Sequence, residues 1–234
     1  TSQGIDLKVV ALADSRGVHV DERGVDLLSA IEQKRDEGTI ATEKRSAVRA
    51  IGDIPCDVVV DTTPTNIEDG EPGISIMLSA FEHGKHVVAS NKGPLALSFR
   101  MLSERAKECG VHLLYEAAVG GAMPIFSLVR CALASNHILK VEGIFNGTCN
   151  YILSRMQDTG YSYLDILNEA KELGIAEADP TYDVEGIDAA CKVAILANAL
   201  FERDVSYRDV DTTGISKITP EAVQLAGSDG CAIR

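Results

Sequence analysis

Apolar and polar positions follow a repeating order along the first half of the chain. Four short, nearly continuous apolar runs have the length and β-branched content of buried parallel strands, at residues 7–13, 57–61, 85–90 and 111–115. Stretches with helical spacing separate them, at residues 25–35, 73–81 and 94–109. Because strands and helices alternate, the sequence predicts an α/β fold with a doubly wound parallel sheet and right-handed crossovers.

The pattern changes after Glu116, and Gly120-Gly121 forms a flexible junction. We therefore place a domain boundary after Gly121 and predict two domains, residues 1–121 and residues 122–234. The second domain is predicted to be α+β. Its predicted elements are a helix at 123–133, a strand at 137–145, helices near 148–158, 162–173 and 184–201, and a short helix at 220–226.

The composition excludes several classes of protein. The net charge of −13 disfavours a nucleic-acid partner. The six cysteines include no C-x-x-C pair, which predicts reduced thiols in a cytoplasmic protein and no disulfide or zinc framework. The apolar runs are too short to span a membrane, and the start at Thr1-Ser2-Gln3 does not resemble a signal peptide.

One expected motif is missing at the start of the chain. A dinucleotide-binding fold carries G-x-G-x-x-G after its first strand, and these 234 residues contain no such motif. The run at 7–13 would then be the second strand of a doubly wound fold. Either the fold is a different one, or the first βα unit is absent from this sequence.

Three loops at predicted strand ends carry polar side chains suited to a cofactor, because ligands bind at the carboxyl ends of parallel strands. Asp14 can hold ribose hydroxyls and Arg16 a 2′-phosphate, and a turn that caps the next segment is an equal alternative. Thr62 and Thr63 can contact ribose or phosphate, or form a plain turn. Lys92 lies between a strand and a helix, where anions collect, and a solvated loop lysine is the alternative.

Five acidic residues precede Lys192 within the segment 177–188. Asp188 and Lys192 are four residues apart, so they share one face of a helix, and the apolar stretch 193–200 follows. A lysine at the edge of an apolar face is partly desolvated, and nearby acids keep it charged for part of a reaction cycle. This arrangement suits proton transfer with a small polar substrate. An ordinary ion pair at the start of a core helix is the alternative.

Segment 143–150 has two competing interpretations. Cys149 followed by Asn150 resembles the nucleophile of an acylating aldehyde dehydrogenase. Such an enzyme needs a thiolate and a base, and none of the five histidines lies in this segment, so we interpret Cys149 as a packed thiol. Asn146, Gly147 and Thr148 are candidates for substrate binding, because free N–H groups and a hydroxyl converge at a helix start.

A glycine-rich segment at 116–124 contains a single acid, Glu116. Backbone carbonyls in such a loop can surround a hard cation. A hinge between domains is the alternative, and the spacing alone favours it.

Five motifs that occur in one order along the chain resemble those of the homoserine dehydrogenase family. They are Val-Asp-Thr-Thr-Pro-Thr (60–65), Asn-Lys-Gly-Pro (91–94), Glu-Ala-Ala-Val-Gly-Gly-Ala-Met-Pro (116–124), Gly-Ile-Phe-Asn-Gly-Thr-Cys-Asn-Tyr-Ile-Leu (143–153) and Glu-Leu-Gly-Ile-Ala-Glu-Ala-Asp-Pro (172–180). The resemblance implies a Rossmann-like NAD(P)-binding domain at 1–121, with its first βα unit missing, and a substrate-binding and dimerisation domain at 122–234.

The activity that the resemblance implies is reversible interconversion of L-homoserine and L-aspartate 4-semialdehyde by hydride transfer with NADP or NAD. This step lies on the route to threonine, methionine and isoleucine. Lys192, next to Asp188, would donate a proton to the aldehyde oxygen, and Lys92 would lie between cofactor and substrate. The other implied roles are cofactor contact by Thr62 and Thr63, substrate contact by Gly147 and Thr148, binding of the homoserine amino group by Glu177, Asp183 and Asp188, and a monovalent cation, Na⁺, at Glu116, Val119, Gly121 and Met123.

The sequence departs from the family pattern at both ends. The glycine-rich first turn is absent, and so is the C-terminal segment that re-enters the nucleotide domain. We expect a chain lacking both to have a damaged cofactor site. A homodimer is the family expectation, and the choice between NAD and NADP stays open because Asp14 favours NAD and Arg16 favours NADP. The alternative functions are an acylating semialdehyde dehydrogenase using Cys149 and a non-catalytic nucleotide-binding module.

Overall fold

A computed structural model describes residues 4–234 of the chain. Residues 1–3, where the first predicted domain starts, lie outside the described residues. The prediction that this start is no signal peptide falls on the same residues. The chain forms two compact units. The first comprises the residues up to Pro94 together with Arg100–Tyr115, and the second comprises Leu95–Phe99 and Glu116–Arg234. The functional domain boundary after Gly121 stays a prediction.

The first unit contains a parallel sheet and an antiparallel hairpin. Its strands are β1 (Ala11–Asp14), β2 (Gly17–Val20), β3 (Val58–Asp61), β4 (His86–Ala89) and β5 (Leu113–Leu114). Its helices are α1 (Leu27–Glu37), α2 (Ala47–Ala50), α3 (Gly73–Glu82) and α4 (Gly93–Glu108), the last contributing Leu95–Phe99 to the second unit. The sheet order is β3-β4-β5, with Val59 opposite Val87 and Val87 opposite Leu113.

Apolar side chains hold the parallel sheet and its helices together. Met77 and Phe81 on α3 are buried, as is Val87 on β4, and α3 packs against β3 and β4. Parallel strands need such cover on their faces, so their sequences are rich in valine. The predicted parallel α/β sheet is therefore confirmed for β3, β4 and β5, which bring the chain segments after Asp61 and Ala89 to one edge of the sheet.

The prediction of a buried parallel strand at 7–13 is wrong. The strand in this region is β1, which starts only at Ala11 and pairs antiparallel with β2 through the turn Ser15-Arg16. The side chain of Leu7 is 81% exposed. An apolar run alone does not distinguish a parallel partner from an antiparallel one, and here the tight turn brings the next four residues back along the same strand.

The second unit is built from helices. They are α5 (Ala117–Gly120), α6 (Ile125–Ser127), α7 (Gly147–Thr159), α8 (Tyr163–Glu172), α9 (Thr181–Val184), α10 (Ile187–Phe201) and α11 (Pro220–Ser228). A π-helical turn, Leu128–Ala132, continues α6, and a 3₁₀ turn, Tyr207–Asp209, follows α10. The core lies between α7, α8, α9 and α11, with Ile152, Met156, Ile166, Val184 and Val223 buried together.

The helical predictions for this unit agree with the structure, and the strand prediction does not. The predicted helix at 123–133 corresponds to α6 and the π-helical turn, and the later helices correspond to α7, α8, α10 and α11. Residues 137–145 belong to no strand within the described chain, and Leu139 there is 90% exposed. Alternating polarity predicts a strand only where a neighbouring strand offers hydrogen bonds, which this segment does not receive from residues 4–234.

Two predictions from composition can be compared with the structure. All six cysteines are free thiols. Among residues 4–234, no helix has the length and apolar content needed to cross a membrane.

Candidate functional site

Lys192 lies on α10 with its amine held in place by two oxygens. The Nζ atom donates to the Phe145 carbonyl at 2.6 Å and forms an ion pair with Asp188 Oδ2 at 2.7 Å. The Lys192 side chain is 17% exposed, and Asp188 is buried. The predicted i,i+4 pair is therefore present, and the amine is partly buried but still accessible to a small molecule.

Asn146 connects Asp188 to a second carboxylate. It is the N-cap residue of α7, and its Oδ1 accepts from the Cys149 N–H at 2.9 Å. Its amide nitrogen donates to Asp183 Oδ1 at 2.6 Å and to Asp188 Oδ2 at 3.0 Å. The start of α7, the short helix α9 and the start of α10 therefore meet at one buried amide.

Thr148 and Asp183 add a second set of contacts to this cluster. The Thr148 hydroxyl lies 2.9 Å from Asp183 Oδ2 and 3.3 Å from the Ile175 carbonyl. Both oxygens of Asp183 therefore accept hydrogen bonds from the first residues of the α7 segment, one from Asn146 and one from Thr148. We refer to Asn146, Thr148, Asp183, Asp188 and Lys192 as the carboxylate cluster.

Two other predicted substrate residues border the carboxylate cluster. Gly147 is the exposed first residue of α7, and a Cβ built on it would meet no atom within 4 Å. Glu177 is exposed, two residues beyond Ile175, whose carbonyl lies next to Thr148. Open space at a helix start with backbone N–H groups can accept the carboxylate of an amino acid.

Cys149 has the environment of an unreactive thiol. Its Sγ contacts the Asp183 carbonyl at 3.2 Å. Burial, and then the negative charges of Asp183 and Asp188, raise the pKa of the Cys149 thiol to about 11. Because a nucleophilic cysteine needs a thiolate near neutral pH, this environment disfavours acyl transfer through Cys149.

The first unit contains a second buried polar network, at the carboxyl ends of β3 and β4. Asp61 Oδ1 accepts from Thr63 N at 2.9 Å and from the Thr63 hydroxyl at 2.7 Å. The amide nitrogen of Asn91 donates to the same hydroxyl at 3.0 Å and lies 3.4 Å from Asp61 Oδ2. Asn91 Oδ1 accepts from Gly93 N at 3.1 Å, at the start of α4. We refer to Asp61, Thr63, Asn91 and Gly93 as the loop network.

The loop network presents two predicted cofactor residues. Thr62 is exposed immediately after β3, and Lys92 is half-buried immediately before α4. The surrounding loops pack closely, because a Cβ on Gly93 would lie only 2.3 Å from the Asn66 carbonyl. An exposed hydroxyl and a lysine held on rigid loops at a parallel sheet edge fit the ribose and phosphate chemistry of a dinucleotide.

Asp14 accepts hydrogen bonds on both carboxylate oxygens. The Oδ1 atom accepts from Arg16 N and the Thr39 hydroxyl, and Oδ2 accepts from Lys34 Nζ at 2.5 Å and Ile40 N at 3.0 Å. Burial by itself raises the pKa of Asp14, but the hydrogen bonds from Lys34, Arg16, Ile40 and Thr39 outweigh it and lower the pKa below its ordinary value. A ribose hydroxyl at Asp14 would therefore compete with donors already in place. Ribose binding at this residue stays a prediction.

Arg16 lies next to the end of α1. Its Nη1 donates to the Glu37 carbonyl at 3.1 Å, close to Gly38, which ends the helix in the left-handed conformation. The guanidinium is exposed enough to meet an added phosphate, and the same contact also stabilises the helix end. The position of Arg16 is therefore compatible with both interpretations from the sequence, binding of a 2′-phosphate and a turn that caps the next segment.

Glu116 supports the start of α6. Its carboxylate accepts from Phe126 N at 2.7 Å, Ser127 N at 2.8 Å and the Ser127 hydroxyl at 2.5 Å. Burial by itself raises the pKa of Glu116, but the hydrogen bonds from Ser127 and Phe126 lower it below its ordinary value. The carboxylate is thus occupied at a helix start, so a cation at this loop would depend mainly on backbone oxygens.

The rest of the predicted cation loop surrounds α5. Val119 is buried, Gly121 has a positive φ of 61°, and Met123 is exposed and donates its N–H to the Gly120 carbonyl. The helix α5 packs against α10, which carries Lys192. No group of three or more His, Cys, Asp or Glu side chains suited to a metal occurs among residues 4–234. The monovalent cation stays a prediction.

Sequence reasoning did not identify how the two asparagines act. Asn146 was expected to contact substrate, whereas its side chain faces Asp183 and Asp188, 37 and 42 residues away along the chain. Asn91 and Asp61 received no role, and they organise the loop that presents Thr62 and Thr63. The available signal was an acid at the end of an apolar run, followed by threonine, which is typical of a side-chain turn.

Family models match both parts of the chain. One described as "Homoserine dehydrogenase, NAD binding domain" matches residues 1–116, and one described as "Homoserine dehydrogenase" matches residues 124–234. Together they cover nearly the whole chain, and the change from one to the other falls between 116 and 124.

Named relatives have the same description. The chain is 48% identical over 234 residues to a homoserine dehydrogenase of Methanocaldococcus jannaschii, covering 98% of this chain and 70% of that protein. It is 37% identical to an NAD(+)-dependent homoserine dehydrogenase of Pseudomonas canavaninivorans, covering 98% of this chain and 66% of that protein. The chain thus spans about two thirds of the length of these relatives.

Solved structures agree with this relationship. A crystal structure from Archaeoglobus fulgidus matches with a TM-score of 0.90 and 46% identity, over 98% of this chain and 69% of that one. The homoserine dehydrogenase of Thermoplasma acidophilum matches with a TM-score of 0.79 and 32% identity, over 92% of this chain and 67% of that one. From its motifs, its fold and these matches, the chain belongs to the homoserine dehydrogenase family and carries that family's NAD-binding domain.

Proposed function

We propose that this protein interconverts L-homoserine and L-aspartate 4-semialdehyde with a nicotinamide cofactor, as a step in the biosynthesis of threonine, methionine and isoleucine. The observation that carries the proposal is the position of the Lys192 amine, which lies 2.6 Å from the Phe145 carbonyl and 2.7 Å from Asp188. A partly buried amine held by a carboxylate, beside open space at a helix start, suits proton exchange with a small amino acid.

In this proposal Lys192 is the proton donor in reduction and the proton acceptor in oxidation. The bound nicotinamide supplies or accepts the hydride. Lys192 gives its proton to the aldehyde oxygen and takes it back from the homoserine hydroxyl. Asp188 keeps the amine oriented and balances its charge while the proton moves. The Phe145 carbonyl provides a fixed second acceptor, so the amine keeps one direction throughout the cycle.

The acids around Lys192 are proposed to hold the amino group of the substrate. Asp183 and Asp188 carry two negative charges against the single positive charge of Lys192, and the exposed Glu177 adds a third negative charge at the border. An excess of negative charge favours an ammonium group. Gly147 and Thr148, at the start of α7, are proposed to contact the rest of the substrate.

The loop network is proposed to present the cofactor contacts. Thr62 and Thr63 would contact the nicotinamide or its ribose, and Lys92 would assist with charge on the cofactor side. Asp14 and Arg16 are proposed to meet the adenosine ribose. The cofactor is NAD or NADP, and Arg16, which already binds the Glu37 carbonyl, is the residue that would accept a 2′-phosphate.

Three further features are part of the proposal. A monovalent cation such as Na⁺ would bind backbone oxygens of the loop containing Glu116, Val119, Gly121 and Met123. It would thereby stabilise the packing of α5 on α10. The exposed apolar side chains of Leu139 and Ile144 support a homodimer formed through the second unit. We also expect a cytoplasmic location.

A steady-state assay of the reduced-nicotinamide absorbance, made with the full-length protein, tests the proposal directly. We expect homoserine to drive reduction of NAD or NADP, and aspartate semialdehyde to drive the reverse reaction. Serine and threonine, whose hydroxyl groups stand one carbon closer to the amino group, serve as matched substrates that should react poorly. Absorbance that stays flat with homoserine and both cofactors would refute the proposal and favour a non-catalytic nucleotide-binding module.

The environment of the Cys149 thiol does not support the alternative function, an acylating semialdehyde dehydrogenase. It would need Cys149 to ionise, and the raised pKa of about 11 works against this. Formation of an acyl phosphate or thioester product from aspartate semialdehyde would revive it.

A further inference from the structure

The orientation of the Asn146 side chain is determined by its partners. One side-chain atom accepts from a backbone N–H, that of Cys149 at 2.9 Å, so it must be the oxygen. The other atom is therefore the NH₂ nitrogen, and it faces Asp183 Oδ1 at 2.6 Å and Asp188 Oδ2 at 3.0 Å. The residue is only 9% exposed. The two hydrogens of the amide are thus both used on carboxylates.

The Asn146 amide separates two like charges without adding a charge of its own. Two carboxylates close to one point repel each other, and a neutral donor between them relieves this repulsion. A lysine at this place would cancel the excess of negative charge in the carboxylate cluster. An aspartate would add a third carboxylate. Asparagine is the residue that keeps both acids apart and leaves the cluster net negative.

The same oxygen of Asp188 connects Asn146 to Lys192. Asp188 Oδ2 accepts from Asn146 at 3.0 Å and from Lys192 at 2.7 Å. The position of this oxygen sets where the amine lies. Asn146 and Lys192 are connected a second time through the backbone, because Lys192 donates to the carbonyl of Phe145, the residue before Asn146.

We propose that Asn146 is a positioning residue that fixes Asp188, and through it Lys192, and holds Asp183 beside them. The inference rests on the proposed function, since it gives Asn146 its role in the same reaction. Asn146 itself touches no reacting atom in this proposal. Its second role, as N-cap of α7, is structural and must be separated from the first by experiment.

The separating variant is Asn146→Ser. Serine is as good an N-cap as asparagine, so the Cys149 N–H keeps an acceptor, while both hydrogen bonds to the carboxylates from the amide are lost. We expect kcat to fall about 100-fold, since small displacements of a catalytic group cost that much, with the KM for the cofactor changed by less than about twofold. The matched control is Ser162→Ala, which removes the N-cap of α8 in the same unit and should leave kcat unchanged.

Asn146→Asp gives a second measurement that needs no activity. The titratable groups around the site are Asp183 on α9, Asp188 and Lys192 on α10 and Cys149 on α7. A third carboxylate there should raise the pKa of a carboxyl in the folded state above its unfolded value. The folded variant then binds more protons than the unfolded chain, so its stability relative to the wild type falls as pH rises. We expect the Tm gap between Asn146→Asp and wild type to widen from about pH 4 to about pH 7. The gap of Asn146→Ser should widen in the same direction but less, because serine removes two hydrogen bonds to the carboxylates and adds no third charge.

The outcomes distinguish this inference from the proposed function. A wild-type protein that oxidises homoserine, with Asn146→Ser as active as Ser162→Ala, would overturn the positioning role and leave the function standing. A full-length wild-type protein without activity would refute the function, and the Tm measurement would then decide about Asn146 alone. A Tm gap of Asn146→Asp that is independent of pH would show that its side chain does not face the two carboxylates.

Discussion

The loop network of the first unit and the carboxylate cluster of the second are built on the same arrangement. In each, a buried asparagine uses its oxygen on a backbone N–H at a helix start and its NH₂ group on a buried aspartate. The difference lies in charge. Asp61 accepts hydrogen bonds from a backbone N–H, a hydroxyl and an amide, all neutral, whereas Asp188 also holds the Lys192 amine.

In the proposed function, this difference separates a network that holds a loop from a network that takes part in proton exchange. A carboxylate bound by neutral donors accepts their hydrogen bonds and fixes the backbone around it, and none of these donors is an acid near neutral pH. A carboxylate beside an amine orients a group that can change its protonation state. We therefore expect substitutions in the loop network to affect stability and cofactor affinity, and substitutions in the carboxylate cluster to affect turnover.

The largest effect is expected from Lys192→Ala. Loss of the proton donor should lower kcat about 1,000-fold, which corresponds to about 4 kcal/mol of activation free energy, with little change in cofactor affinity. Stopped-flow turnover and cofactor titration by fluorescence measure the two quantities separately. The exposed Lys217, changed to alanine, removes one positive charge from the same unit and should leave both unchanged. Lost cofactor affinity with normal turnover would contradict the role of Lys192.

The next largest effect is expected from Asp61→Ala. The substitution leaves the N–H and hydroxyl of Thr63 without their acceptor and removes one of the two acceptors of the Asn91 amide. It should lower the free energy of unfolding by about 3 kcal/mol. Cofactor affinity should fall with it, whereas kcat at saturating cofactor should stay near the wild-type value. Urea unfolding and cofactor titration check this.

Asp61→Asn is the matched control for that substitution. It keeps the shape and one acceptor oxygen at the position of Oδ1, so we expect a smaller loss of stability, near 1 kcal/mol. A large drop in kcat in either Asp61 variant, with cofactor affinity intact, would remove the distinction between the two networks.

Gly147→Ala is expected to change substrate affinity and leave folding intact. A methyl group at this position meets no protein atom within 4 Å, and alanine is the better helix former, so stability should stay equal or rise by up to about 1 kcal/mol. If the substrate occupies that space, the KM for homoserine should rise about tenfold, or about 1.4 kcal/mol. Gly227→Ala in α11, which also meets no atom within 4 Å, should change stability in the same direction and leave KM unaltered.

The smallest effect is expected from Cys149→Ser. The hydroxyl can keep the contact with the Asp183 carbonyl, and hydride transfer does not need a thiol, so kcat should stay within about twofold of wild type. A complete loss of activity with normal thermal stability would favour the acylating alternative.

The sequence predicted those features that depend on neighbouring residues. The Asp188–Lys192 pair follows from i,i+4 spacing and is present at 2.7 Å. The parallel strands β3, β4 and β5 follow from short apolar runs bounded by turns. The predicted helices near 148–158 and 162–173 correspond to α7 and α8, which Asn146 and Ser162 cap.

Features that depend on distant partners could not be predicted from the sequence. Asp14 accepts hydrogen bonds from Lys34, Thr39 and Ile40 only once α1 has folded back beside the hairpin. These donors use the carboxylate oxygens that the sequence predicts to bind ribose. The pairing of β1 with β2 depends on the two-residue turn Ser15-Arg16, which follows the apolar run. In both cases local composition was compatible with several partners, and tertiary packing selected one of them.

The contact between Lys192 and the carbonyl of Phe145 has a consequence for natural and engineered variation. A peptide oxygen is present whatever side chain its residue carries. The side chain at position 145 can therefore vary while the Lys192 ammonium group keeps this anchor.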